Sequence, residues 1–336
     1  GNHANRIMAP AITRAKNSRL VAVCSRDSER AQAFARAHGA EHTYTSYEDL
    51  LRDPKVDAIY IATPNALHAA QAIQAAGARR HVLCEKPLTL TVAEAERVVQ
   101  ASRDAGTKLG VALQNRFHPA HIEMRRLIQS GEAGEILLLQ GEYSRDLTQP
   151  TSTWKADVSL AGGGAIMGMG NHVFDLFRFL TGQEVEEVTA WTDATTWNLP
   201  VDDMVMAMLR FSGGVRATMV SGYYVPRAYN SVVAYGSRAR LTGLGTVGMT
   251  FQGTLLVEKG DDSTKMEFPA EDPITDNYVR MIEAFVRAVD EDLQPTASGD
   301  DGLELVRIVD AVLESARTGK SVGVNRGPMA RLTIDR

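Results

Sequence analysis

The run AIYIATPNALHAAQAIQAAGARRHVLCEKPL, residues 58–88, decides the fold. It opens on an apolar strand at 58–62, passes through an alanine-rich helix at 67–76 that Gly77 ends, and returns to an apolar strand at 81–84. Two continuous apolar strands joined by one amphipathic helix form a parallel pair, because only a parallel sheet buries both faces of its strands. Glu85-Lys86-Pro87 then places a carboxylate and an ammonium at a strand's carboxyl end, where Pro87 stops the ladder. A solvated Glu–Lys pair there would contribute little. A lysine held beside a ligand crevice would instead serve as a proton donor or substrate clamp.

The same alternation extends in both directions. Residues 20–24 and 108–113 read as further apolar strands, and helices at 28–38 and 92–105 close on Gly39 and Gly106. A short helical piece covers 47–51. The expected first half is a doubly wound parallel α/β sheet of the Rossmann type over residues 1–117. Gly1-Asn2-His3-Ala4, followed by a helix at 6–15, reads as the tail of a Gly-x-Gly-x-x-Ala phosphate turn whose first strand is missing. Ligands of such sheets bind outside the carboxyl ends of the strands, which selects Ser25-Arg26, Thr63-Pro64-Asn65, Glu85-Lys86 and Asn115-Arg116. Ser25 and Arg26 stand where an NAD site has a carboxylate for the ribose, and a hydroxyl with a guanidinium suits the 2′-phosphate of NADP better. Asp27, one step on, leaves NAD open.

Residues 118–336 change character. After a helix at 121–130, longer alternating strands are expected at 136–143, 188–191, 203–211, 215–223, 231–235, 250–257 and 265–268, with a hairpin at Gly213-Gly214. This is an α+β half with an open, mostly antiparallel sheet, closed by helices at 276–289 and 302–316. Its far face, with Val205, Met219 and Val233, is the expected subunit contact of a homodimer or homotetramer. Gly162 to Asp175 brings three glycines, then His172 and Asp175 on one helix face, where a carboxylate could orient the imidazole. Trp154 and Lys155 are candidates for a sugar-stacking wall and a substrate cation.

Bulk properties narrow the function. With 336 residues the chain is long for one core. A net charge of -5 and a pI near 5.9 disfavour nucleic acid and anionic membrane. Two cysteines, Cys24 and Cys84, read as reduced cytoplasmic thiols, with no metal site expected. No apolar run approaches the ~20 residues that span a bilayer.

Taken together, Tyr47-Glu48-Asp49-Leu50-Leu51, Ala62-Thr63-Pro64-Asn65 with His68, Glu85-Lys86-Pro87-Leu88, Asn115-Arg116-Phe117 with Pro119, and the Gly162–Asp175 stretch resemble the Gfo/Idh/MocA oxidoreductases. The resemblance implies hydride transfer between NADP, or NAD, and a carbinol or carbonyl carbon of a sugar or cyclitol. It makes Lys86 and His172 the catalytic pair and matches Asp175, also expected at the substrate, to an acidic residue one turn further on, while Arg116, Lys155 and Trp154 are candidates for substrate binding by their own chemistry. Gly1, Asn2, His3, Ala4, Ser25, Arg26, Thr63, Pro64, Asn65, His68, Glu85 and Asn115 fall at the cofactor. One departure stands out: the family usually has Asp four residues before the histidine, and this chain has Gly168. The resemblance also leaves a glycosidase using bound NAD transiently as a rival reading, and Gly168 encourages a second, a non-catalytic dinucleotide sensor.

Overall fold

The computed structural model describes residues 3–147, 153–194, 196 and 198–324. A π-helical turn, Ala4–Met8, runs into α1 (Ala9–Arg14). There follow β1 (Ala22–Cys24), α2 (Ser28–His38), β2 (His42–Tyr44), α3 (Tyr47–Arg52), β3 (Ala58–Ile61), α4 (His68–Gly77), β4 (His81–Cys84), α5 (Val92–Ala105) and β5 (Leu109–Val111). All pairings here are parallel, in two pieces, β1-β2 and β3-β4-β5. A doubly wound order puts its first strand between these pieces, and among the described residues no strand lies there.

Then come α6 (Pro119–Gln129), β6 (Ile136–Glu142), α7 (Val158–Ala161), α8 (Asn171–Thr181), β7 (Val185–Asp193), β8 (Met204–Phe211), β9 (Arg216–Gly222) and β10 (Val232–Gly236). The chain closes with β11 (Arg240–Leu244), β12 (Thr254–Lys259), β13 (Asp262–Glu267), α9 (Asp276–Asp290), α10 (Gly299–Thr318) and β14 (Val322–Gly323). The nine strands of this half run β13-β12-β11-β10-β6-β9-β8-β7-β14, antiparallel except for β6 beside β9. No helix among the described residues is long and apolar enough to cross a membrane.

Helix α8 is buried on all sides, as a helix lying between a sheet and other helices must be. Phe174, Leu176, Phe177 and Leu180 are fully covered, and each such side chain contributes about 2 kcal/mol through burial. The closing helices return to the first half. Val111 N–H donates to Ala297 O at 2.9 Å, so β5 is edged by the segment that leads into α10. Tyr278 and Phe285 of α9 join Ile7, Met8, Leu83 and Phe117 in a second core.

Three expectations need correcting. Val205 and Met219 are buried toward the helices and do not line the open face. That face carries Leu137, Trp191, Met206 and Met208, which are roughly half exposed. A strand's side chains alternate, so a one-residue error in parity exchanges the two faces. Helix α4 also runs through Gly77 and ends with Arg79 in the left-handed region, φ 57°. Strands β2, β11 and β14 had no sequence signal, being short and rich in polar or glycine residues.

Candidate active site

Strand β4 delivers the central lysine. Glu85 N–H donates to Ile61 O at 3.0 Å, fixing the strand end, and the Lys86–Pro87 peptide is cis. The Lys86 ammonium crosses to the second half and donates to Gly168 O at 2.6 Å and Met167 O at 3.2 Å. Burial lowers its pKa to about 8, the Lys155 charge adds to this, and Glu85 opposes it. Glu85 itself is held near 2. Burial alone would raise it, but His3 at 3.2 Å, the Tyr60 hydroxyl that donates to it, and Lys86 together outweigh that. The carboxylate is therefore ionised near pH 7 and keeps a counter-charge beside the lysine.

His172 sits in the first turn of α8, 3% exposed, with its ring edge-on to Tyr143 at 5.6 Å. Its Nδ1 is buried without a protein partner. Burial, reinforced by the Lys86 charge, pushes its pKa well below the usual value, so the imidazole is neutral near pH 7 and able to accept a proton. Lys86 and His172 therefore meet at the start of this helix. The start is built by Asp202, whose carboxylate accepts from Gly164 N–H at 2.6 Å and Ile166 N–H at 2.8 Å. A Cβ at Gly164 would come 1.8 Å from Asp202 O, so only glycine permits that approach.

Asp175 does not orient His172. Its oxygens accept from Arg116 Nε at 2.9 and 3.0 Å and from a terminal guanidinium nitrogen at 2.6 Å. The remaining donors of Arg116 go to Thr296 O at 2.6 Å and to both oxygens of Asp301 at 3.0 Å. Arg178 adds a bond to Asp301 at 3.1 Å and a paired contact with Glu184 at 2.7 Å. Arg116 is 5% and Asp175 1% exposed. The two expected substrate ligands are thus committed to each other, because the guanidinium has no donor left over.

Trp154 and Lys155 lie together, the ammonium 5.8 Å from the indole centroid. Burial and the Arg145 charge lower the Lys155 pKa, and the Lys155 charge in turn acts on Lys86. Among the strand-end residues, Asn65 Nδ2 donates to Ala161 O at 2.8 Å and Thr63 Oγ1 to Gln71 Oε1 at 2.7 Å. His68 lies between Pro87 O at 2.8 Å and Thr63 O at 3.0 Å, tying the ends of β3 and β4, and burial keeps its pKa low. These residues brace the crevice wall. Asn115 Oδ1 accepts from Gly248 N–H at 3.2 Å, while its Nδ2 is buried and unpartnered.

At the end of β1, Ser25 Oγ accepts from Arg30 Nε at 3.0 Å. Asp27 Oδ1 accepts from Arg30 N–H at 3.0 Å as the cap of α2. Arg26 and Arg30 are both exposed there. No side chain caps the first helix at His3 and Ala4, and Gly1 and Asn2 lie outside the described residues. An uncapped helix start, an orphaned Asn115 Nδ2 and a basic corner at the second strand-end fit a nicotinamide dinucleotide. Reading the sequence missed Tyr60, Tyr143, Arg145, Tyr223 and Arg30. Of these only Arg30 carried a signal, lying one turn after Arg26.

Two family models match the chain. One, described as an oxidoreductase family with an NAD-binding Rossmann fold, covers residues 1–113, and the Gfo/Idh/MocA C-terminal domain covers residues 121–242. The 1,5-anhydro-D-fructose reductase of Ensifer adhaerens is 31% identical over 315 residues, 94% of this chain and 93% of that protein. The D-xylose 1-dehydrogenase (NADP(+)) 2 of Haloferax volcanii is 33% identical over 93% and 94% of the two chains. The aldose-aldose oxidoreductase of Caulobacter crescentus, solved with glycerol, superposes with a TM-score of 0.88 at 29% identity, covering 96% and 97%. With a Rossmann half that binds NAD(P) and the shared C-terminal domain behind it, the chain belongs to the Gfo/Idh/MocA family of oxidoreductases.

Proposed function

We propose that this protein interconverts a carbinol and a carbonyl carbon of a sugar or cyclitol-like molecule, with NADP(H) as the preferred cofactor. One observation carries the reading: the Lys86 ammonium of the first half bonds Gly168 O, one turn before the buried, neutral His172 of the second. In oxidation His172 takes the hydroxyl proton, and Lys86 stabilises the developing alkoxide by its charge. In reduction the Lys86 ammonium stabilises the developing alkoxide and gives it the proton. Nicotinamide, when bound, supplies the hydride acceptor or donor. Residues 1–117 form the cofactor half and 118–336 the substrate half. His3, Ala4, Gly1 and Asn2 take the diphosphate, Ser25, Arg26 and Arg30 the 2′-phosphate, and Thr63, Pro64, Asn65, Glu85, Lys86 and Asn115 the nicotinamide end. Trp154 and Lys155 face the substrate. The reading places the protein in the cytoplasm, in keeping with its two free thiols.

The test is turnover of aldoses and inositols with NADP+ and NAD+, followed by nicotinamide absorbance. Replacing Arg26 and Arg30 by alanine removes two cations from a phosphate dianion and raises the NADP+ KM at least tenfold, while the NAD+ KM changes less than twofold. Equal losses with both cofactors would end the NADP assignment. Cofactor binding with no turnover across the panel would favour the sensor reading.

The open sheet face supports a homodimer. Trp191 pairs with Met206 across β7 and β8, and Met208 and Leu137 extend the apolar patch. Met206→Asp with Met208→Asp should convert the dimer to monomer in size-exclusion chromatography with light scattering. A monomeric wild type would rule this interface out.

A further inference from the structure

We infer that Tyr223 is a further catalytic-site residue, its hydroxyl binding the substrate from the place a side chain at position 168 would otherwise fill. This rests on the reading of Lys86 and His172 as the reacting pair. An ideal Cβ on Gly168 would lie 1.9 Å from the Tyr223 hydroxyl oxygen and 3.0 Å from its ring carbon Cζ. The same residue's carbonyl holds the Lys86 ammonium at 2.6 Å. The phenol and the catalytic cation therefore flank one residue, four before His172.

The phenol is rigidly placed. Tyr223 follows β9, its N–H donates to Asp203 O at 2.8 Å, and its O accepts from Leu147 N–H at 2.7 Å. With both backbone groups bonded and the residue 7% exposed, the ring has little freedom to swing away. Its hydroxyl donates to Gly164 O at a long 3.4 Å. Burial, with the Asp202 charge, raises its pKa, so it stays protonated at working pH.

Glycine at 168 and tyrosine at 223 thus read as one exchange, since neither a carboxylate at 168 nor any Cβ coexists with this phenol. The exchange has two chemical consequences. A carboxylate only accepts hydrogen bonds, whereas a phenol also donates one. Tyr223 can therefore turn its one proton from Gly164 O to a ring ether or carbonyl oxygen beside the reacting carbon, where a carboxylate would demand a hydroxyl. A carboxylate so close to Lys86 would also favour its charged form. A neutral phenol does not, which agrees with the depressed ammonium.

The experiment uses the full chain with NADP+ and either D-xylose or D-glucose, whichever wild type oxidises faster. Tyr223→Phe keeps the ring and removes only the oxygen. Its kcat should fall 10- to 100-fold, with the NADP+ KM within twofold and the thermal midpoint near wild type. Gly168→Asp alone should lose activity through the clash. Gly168→Asp with Tyr223→Ala should recover at least tenfold over Tyr223→Ala and move the alkaline limb of the pH profile upward. Tyr223→Phe at half the wild-type kcat or better, or a double variant no faster than Tyr223→Ala, would overturn the assignment. Inactivity of wild type itself would instead sink the oxidoreductase reading on which it stands.

Discussion

Lys86→Met lowers carbonyl reduction by about 10²–10³-fold, the loss expected when one pre-positioned donor to a developing oxyanion is removed. Methionine matches the length of the lysine stem, so the cavity stays filled and the fold survives. The ammonium is anchored by Gly168 O and Met167 O, and its pKa of about 8 sets the pH dependence. Below that value the group is charged and able to stabilise the alkoxide. As pH rises through about 8 the charge is lost, and reduction falls toward tenfold per unit. His172, depressed well below its ordinary value by burial and the Lys86 charge, adds no inflection near 6.5. Rate profiles of wild type and Lys86→Arg from pH 6 to 10 check this, because a guanidinium does not titrate in that range. The alkaline limb should vanish in Lys86→Arg even if its maximal rate is poor. A limb that persists at the same pH, or wild-type rates in Lys86→Met, would remove Lys86 from the chemistry.

The reach of the sequence differs from element to element, for physical reasons. Strands β3 and β4 and helices α2 and α5 were legible because apolar runs, caps and closing glycines are local signals. Lys86 was legible because a parallel sheet puts its strand ends at the ligand. The partner of Asp175 was not, since spacing along α8 shows which residues share a face but not what packs against it, and Arg116 arrives from 59 residues away. Val205 and Met219 were assigned to the open sheet face one residue out of parity, whereas part-exposed Val233, opposite exposed Gln140, does lie on it. Met206 and Met208 are as apolar as Val205 and Met219, so composition could not say which parity meets the helices. Tyr143, Arg145 and Tyr223 were invisible because β6 and β9 become neighbours only in the folded sheet.

Arg116→Met destabilises the protein by about 3–5 kcal/mol, because it strands a buried carboxylate without its counter-charge. Asp175 is 1% exposed and takes three of its hydrogen bonds from this one guanidinium. Asp301, in the α10 cap, loses part of its anchor too and keeps only Arg178 as its link to α8. Burial already raises the Asp175 pKa, and Arg116 is the main influence holding it down. In the variant the folded-state pKa therefore rises further above its unfolded value. A carboxyl shifted in that direction favours the folded state at low pH, and this advantage is lost as pH rises through the folded pKa. The deficit against wild type should accordingly be larger at high pH and narrow as pH falls, measured by urea unfolding at pH 8 and pH 5. Asp175→Asn with Arg116→Met should recover part of the loss, since the buried charge is gone. If Arg116 were instead a substrate ligand, Arg116→Met would unfold at the wild-type urea midpoint and show only a raised substrate KM, and that result would return both residues to the binding site.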